Sequence, residues 1–327
     1  MSAFLRLRRE QQGTLLCMLA AAGSGAMGVF AKVAYDAGFE ARSLLLLRFL
    51  AAAAVMWGIV ALRRPARPPL RTVLIAALLG AIGFALQAGL YFTSLERIDA
   101  SLAALVVYAY PAMVLLGAIA LRWERPSALR AGALALALAG IVVVLAGGGT
   151  GAIDPAGVAF ALAAAVASAA YVLLADRTVG GVDPFLLSAI ILTSSGVAIA
   201  GWNAVAGMPA LHVGASGWAA IAAVVCVSTI MPVTAFLLGL RRVGAGTASI
   251  VSTVEPVVAA AMAMALLGER LTPLQLLGAA AVLGAIVLVN LRRAPRPAPR
   301  VDSRRDPAAV AAAPAAARPL AEQPARG

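Results

Sequence analysis

Ten apolar runs of helix length, separated by short connections that hold most of the arginines, constrain this chain more than any other feature. They fall at roughly 14–35, 43–62, 72–94, 100–121, 128–146, 156–175, 184–206, 216–240, 246–267 and 273–291. At about 1.5 Å of rise per residue, each is long enough to cross about 30 Å of hydrocarbon. Hydrophobic residues make up 62% of the 327 residues and charged ones 12%, against about 45–50% and 25% in soluble domains. That leaves too little polar surface to enclose a soluble globule. The expected fold class is an all-α integral membrane protein with ten transmembrane helices.

The net charge of +12 does not point to nucleic acid, because the arginines sit in connections and the tail, where they orient the chain and meet anionic headgroups. One set of connections carries Arg6, Arg8, Arg9, Arg63, Arg64, Arg67, Arg71, Arg122, Arg125, Arg130, Arg177, Arg241, Arg242, Arg292 and Arg293. The alternate set carries only Lys32, Arg42, Arg97 and Arg270. Positive residues mark the inside, so both termini are expected in the cytoplasm of a bacterial inner membrane. The basic start "LRLRRE" reads as the flank of an uncleaved first helix, since many further spans follow. Cys17 and Cys226 lie in apolar runs without CxxC spacing and read as small hydrophobes.

The chain repeats itself. "LERIDASLAALVVYAYP" (Leu95 to Pro111) aligns without gaps on "LRRVGAGTASIVSTVEP" (Leu240 to Pro256) at a shift of 145. The same shift places "ER" at 124–125 on "ER" at 269–270, and a shift of 144 places Ser24 on Ser168. Five spans per half is an odd number, so the second half enters from the opposite side. Two inverted-topology five-helix repeats, 13–146 and 155–291, are therefore expected, followed by a disordered cytoplasmic Pro/Ala/Arg-rich tail over 292–327. Inverted halves that exchange conformations give alternating access to a site near the midplane.

Four segments resemble the EamA-type ten-span carriers of the drug/metabolite transporter superfamily. They are "LLLLRFLAAA" in the second run, "YPAMVLLGAIALRWER" in the fourth, "SAAYVLLADR" in the sixth and "VEPVVAAAMAMALLGERLTPLQLLGAAAVLGAIVLV" across the last two. The first half departs from the family pattern where "RWERPS" replaces a Gly-Glu-Arg-like turn. The resemblance, not the composition, implies efflux or exchange of small metabolites, and it too points to the Glu255-Pro256 pair.

Glu255 is the one acid in an apolar run, about nine residues from the cytoplasmic end. An ionised acid at that depth costs at least about 2.5–3.5 kcal/mol, so it faces protein or water. It reads either as a used charge or as a protonated group bonded across a helix interface. Pro256 removes a helix hydrogen bond and releases a carbonyl, as a hinge or a binding element. Tyr110-Pro111 is the counterpart pair, giving a cavity one titratable and one aromatic wall, suited to an amphiphilic solute carrying an amine. Gly80, Gly83, Gln87, Tyr91 and Ser94 fall on one helix face; Gln87 and Tyr91 are cavity candidates, with Ser24, Ser168, Tyr171 and Ser252 as weaker ones. Ser252 bonds either Glu255 or its own helix backbone. Arg48 either snorkels to headgroups or forms an external gate or anion-binding element.

Other motifs lead nowhere. "GSGAMG" (Gly23 to Gly28) matches GxGxxG by letter inside an apolar helix, which favours small-residue helix packing over dinucleotide binding. "GGGTG" (Gly147 to Gly151) lacks the lysine of a phosphate loop. His212 stands in an external connection, and no cluster suggests a metal or any other cofactor. The expected function is a secondary transporter that exports or exchanges amino acids or related small metabolites, with proton antiport through Glu255 as one form of it. The alternative, a membrane-embedded enzyme on a lipid-linked substrate, lacks paired acids at the membrane surface. The expected partners are a small solute and the lipid bilayer, not nucleic acid. Ten spans enclose a pathway in one chain, so a monomer suffices and a homodimer stays open.

Overall fold

Long apolar segments in lipid must satisfy their backbone internally, and helices do this without partners. In a computed structural model, described over residues 9–123, 128–147, 154–178, 182–207, 214–252 and 254–291, every regular element is helical. In chain order these are α1 (Arg9–Gly25), α2 (Met27–Asp36), α3 (Ala41–Arg63), α4 (Leu70–Leu78), α5 (Ala85–Leu95), α6 (Ala100–Val107) and α7 (Tyr110–Ala120). Then follow α8 (Ala128–Ala146), α9 (Pro155–Thr178), α10 (Pro184–Ala206), α11 (Ala215–Val225), α12 (Met231–Ser252), α13 (Glu255–Leu266) and α14 (Pro273–Leu291). Two π-helical turns, Leu79–Phe84 and Cys226–Ile230, join α4 to α5 and α11 to α12.

Among the described residues, seven helical segments are long and apolar enough to cross a membrane. Three shorter apolar helices, Ala135–Val144, Glu255–Leu266 and Pro273–Ala285, accompany them. The protein is thus a multi-pass, all-α membrane protein. The expected tail over 292–327, His212, Glu124 and Arg125 lie outside the described residues.

Each residue of α12 is helical from Met231 to Ser252, including those of the connection expected near 241–245. Contacts with α1 nevertheless require a reversal. Gly13 meets Arg242 and Val243, Gly23 meets Val227 and Met231, and Gly25 meets Glu255 and Ala259. Going from Val227 to Val243 the chain runs down α1, and by Glu255 it has returned. The turn falls between Val243 and Glu255.

The main helix pairs are α1 with α12, α5 with α9, α3 with α10, α2 with α11, α6 with α13 and α8 with α14. Missing side chains permit several of these. A Cβ on Gly140 would stand 2.8 Å from Gly278 O, and one on Gly278 would stand 2.6 Å from Gly140 O. Gly23 likewise fits only because no Cβ meets Val227 O, so the "GSGAMG" stretch packs helices. Cys17 is buried against Gly239, while Cys226 is exposed. The largest core cluster surrounds Phe49, Phe92 and Phe185.

Helix ends are fastened by acids. Glu269 accepts from Ala100 N (2.8 Å), Ser101 N (2.9 Å) and Ser101 Oγ, capping α6. Glu96 accepts from Ala41 N at the start of α3. Asp183 caps α10 through Phe185 N and pairs with Arg241 at 3.3 Å. After α13 the chain turns through Gly268 with φ 70°, where a glycine carries no Cβ penalty. The corresponding turn after α7 uses Arg122 with φ 58°. The departure "RWERPS" therefore places a side chain in a left-handed conformation that costs roughly 1–2 kcal/mol.

Candidate functional site

Proline decides where two helices break. Pro111 and Pro256 cannot donate to the carbonyls of Val107 and Ser252, and each sits in the first turn of a new helix that begins at Tyr110 and Glu255. The half-helices α6 and α7 meet at Tyr108 and Ala109, and α13 starts after a similar interruption. Val107 and Ser252, whose carbonyls lose their helical donors, both line one cavity of about 540 Å³.

That cavity collects residues from far apart in the chain. Ser24, Arg48, Gln87, Tyr91, Tyr110, Ser168, Tyr171, Ser252 and Glu255 all line it. Every side chain singled out from the sequence as a binding or gating candidate is therefore in one place. The two prolines stand beside it rather than in its wall.

Glu255 heads α13, where unpaired backbone N–H groups and the helix dipole favour a carboxylate. Its side chain accepts a hydrogen bond from the Tyr108 hydroxyl. Tyr108 and Tyr110 lie with ring centroids 6.4 Å apart. Ser252 donates to Ala248 O at 2.9 Å, so of its two sequence readings the helix-backbone bond is the one formed. Ser168 Oγ stands 2.7 Å from Ala164 O and 2.8 Å from Gln87 Oε1. One hydroxyl proton serves one acceptor, and exchanging the Gln87 amide O and N lets the amide donate to Ser168.

The face expected from Gly80 to Ser94 is divided by the first π turn, which inserts extra residues into the helical register. Gly80 packs on α10, where a Cβ would stand 2.6 Å from Ile191 O, and its carbonyl accepts from Ser195 Oγ at 2.8 Å. Gly83 lies under the Tyr171 ring. Gln87 and Tyr91 reach the cavity, whereas Ser94 is buried and donates to Tyr91 O at 2.7 Å. Phe49, Phe84 and Tyr171 form a chain of rings with centroids 5.6 Å apart, an apolar wall.

Arg48 does not snorkel. It is 5% exposed, lines the cavity, and donates from Nε to Thr229 Oγ1 at 3.0 Å. The rings of Phe49 and Phe92 stand 5.3 Å from its guanidinium carbon, at cation–π distance. Thr229, in the second π turn, in turn donates to Val224 O at 2.8 Å, a carbonyl five residues back at the end of α11.

Sequence reasoning missed Tyr108, Phe84, Ser228, Thr229 and Phe236, all in the wall. Two signals were present. Ser228-Thr229 is a polar doublet in an otherwise apolar run, and the shift of 145 maps Phe84 onto Thr229 and Tyr91 onto Phe236. No group of three or more metal-binding side chains occurs among the described residues.

The same architecture is found in known proteins, and the family model for EamA-like transporters matches the chain twice, over residues 11–146 and 155–291. The chain belongs to the EamA-like transporter family. This EamA protein, of the drug/metabolite transporter superfamily, is 26% identical over 299 residues to the Uncharacterized transporter YcbK of Bacillus subtilis, covering 88% of this chain and 96% of that one. It is 28% identical over 251 residues to the Uncharacterized inner membrane transporter YedA of Escherichia coli, covering 75% and 80% of the two chains. A solved crystal structure aligns with a TM-score of 0.63 at 20% identity, over 86% of this EamA chain and 97% of that chain, a likeness of fold.

Proposed function

We propose that this protein is a secondary transporter that exports or exchanges amino acids or related small metabolites by alternating access. The observation that carries the reading is the cavity itself. Two prolines on different spans open helix ends beside it, and an acid, a cation, amide and hydroxyl groups and aromatic rings share its wall. Such polar side chains are expensive in a bilayer and mark solute pathways.

Ten spans in two inverted repeats, 13–146 and 155–291, are part of the proposal. Support comes from helix pairs that exchange under the duplication. In span order, α1 with α12 is first against eighth, and α5 with α9 is third against sixth, its image. The two π turns fall at corresponding places in the third and eighth spans. Ser24 with Ser168 and Tyr91 with Phe236 then occupy matching positions in one wall. Rocking of one repeat against the other would expose that wall to each side in turn. Pro111 and Pro256 supply the hinges, and Arg48 closes the outer part of the wall. Both termini are cytoplasmic, the membrane is the bacterial inner membrane, and a monomer suffices. Glu255 exchanges a proton for solute where transport is proton-coupled.

The test is counterflow of a labelled amino-acid and amine panel in liposomes, comparing wild type with Glu255→Gln. Wild-type counterflow lost in a folded Glu255→Gln variant is the expected result. Unchanged counterflow in that variant removes Glu255 from the cycle, and no wild-type counterflow of any solute in the panel overturns the substrate class.

A further inference from the structure

Arg48 presents an unusual balance of contacts for a buried charge. A guanidinium carries five N–H donors and keeps its charge at any ordinary pH. Of these donors only Nε has a protein acceptor among the described residues, Thr229 Oγ1. Its other neighbours are two phenyl rings. No carboxylate pairs with it among the described residues, although Glu255 lines the same cavity. Burying an unpaired ion costs several kcal/mol unless an opposite charge and hydrogen bonds compensate.

The orientation of Arg48 is fixed from behind. Thr229 uses its proton on Val224 O and its lone pair on Arg48 Nε, so the π turn holds the near edge of the guanidinium. The far edge, with both Nη groups, is left for the cavity. Ser228, the preceding residue in that turn, also lines the cavity, and its buried Oγ has no hydrogen-bond partner among the described residues. A planar fork in such a wall matches a planar monoanion bound by two parallel hydrogen bonds. A single cation, with no second positive side chain among the described wall residues, suits a carboxylate rather than a dianionic phosphate.

Glu255 and the Tyr108 hydroxyl supply the opposite polarity from α13 and α6. Arg48, Tyr91 and Glu255 line one cavity, and no ion pair among the described residues joins the two charges. The geometry points to a zwitterion clamp: Arg48 with Ser228 receives the carboxylate of an α-amino acid, and Glu255 receives its ammonium group. The rings of Phe84, Tyr171 and Phe236 then face an apolar side chain. This assignment rests on the carrier reading and narrows its substrate class from amines and amino acids to zwitterions.

The test uses the purified full-length protein and two matched series. These are leucine with isoamylamine and 4-methylpentanoate, and phenylalanine with phenethylamine and 3-phenylpropanoate. Binding is read as the ligand-induced rise in unfolding temperature. The amino acid of at least one series is expected to bind about tenfold or more tighter than either truncated relative, the scale of one charge-assisted pair. Arg48→Gln is expected to abolish the preference over the amine, and Glu255→Gln the preference over the acid. Should Arg48→Gln fail to fold, Arg48→Lys and Glu255→Gln carry the test, with Arg48→Lys keeping a reduced preference for the amino acid over the amine. A preference over the amine that survives Arg48→Gln at full size overturns the clamp. So does a wild type that binds no member of either series, or binds amine and amino acid alike. Counterflow separates the two conclusions. Transport of other solutes without binding of these keeps the carrier and removes the clamp, while selective binding without counterflow keeps the clamp and removes the carrier.

Discussion

Tyr110 and Glu255 stand at the same point of two broken helices: each is the first residue of its half-helix, and each is followed by a proline in the first turn. Both line the same cavity. The frame around them is shared, and the chemistry differs. One half presents a phenol at the helix N-terminus, the other a carboxylate that the dipole and free N–H groups favour. Arg48 against Leu192 shows the same contrast at a shift of 144, and both of these residues also line the cavity.

Tyr108 holds the Glu255 carboxylate by a hydrogen bond across the α6–α13 interface. Tyr108→Phe keeps the ring and removes only the hydroxyl. We predict a loss of roughly 1–3 kcal/mol of interaction with the carboxylate, read as weaker solute binding and slower counterflow in a protein that still folds. Counterflow and binding equal to wild type in Tyr108→Phe would show that this bond does not position Glu255.

How much of this was legible in the sequence follows from what each feature depends on. Apolar runs and basic connections report a local balance of lipid and water, so an all-helical membrane chain was readable. Proline breaks a helix wherever it sits, so Tyr110-Pro111 and Glu255-Pro256 were readable too. The π turns were not, because a change of hydrogen-bond register leaves the apolar periodicity nearly intact. That is why Gly80 was grouped with Gln87 and Tyr91, whereas Ser94 shares their helix beyond the turn and is simply buried. Arg48 was misread as a snorkelling candidate because its acceptor, Thr229, lies 181 residues away.

Arg122 adopts φ 58° at the turn after α7, where the turn after α13 uses Gly268. Glycine reaches this region without the Cβ penalty. Arg122→Gly is predicted to stabilise the protein by about 0.5–1 kcal/mol, less than the full conformational cost because glycine also widens the unfolded ensemble. Thermal unfolding in detergent measures it. A lower unfolding temperature would mean that the Arg122 side chain makes contacts worth more than the strain it imposes.

Asp154 precedes α9 and is held below its usual carboxylate value, first by the Ala156 N–H and then by Arg97, whose Nη1 lies 3.1 Å away. A carboxyl depressed in the folded state binds its proton more readily when unfolded. Its contribution to stability is therefore present above the ordinary carboxylate value and lost as pH falls through the folded one. Asp154→Asn is predicted to lower stability at pH 7 slightly and to have no such effect near pH 2, since the pair is exposed and screened. Unfolding scans of both proteins across that range decide it, and a gap that widens on acidification would contradict the assignment.

Glu269 joins the turn after α13 to the start of α6, accepting from two backbone N–H groups and the Ser101 hydroxyl. Without it, two donors at a half-buried helix N-terminus must find water or stay unpaired. Glu269→Ala is predicted to cost about 1–3 kcal/mol, with Glu269→Gln intermediate because its amide still accepts through one oxygen. Because α6 and α13 both wall the cavity through Ala104, Val107 and Ala259, loosening this clasp should also weaken solute binding in proportion to the stability lost. Unfolding temperatures and binding across wild type, Glu269→Gln and Glu269→Ala test the ordering. A stable Glu269→Ala protein with impaired counterflow would move Glu269 from helix cap to a moving part of the transport cycle.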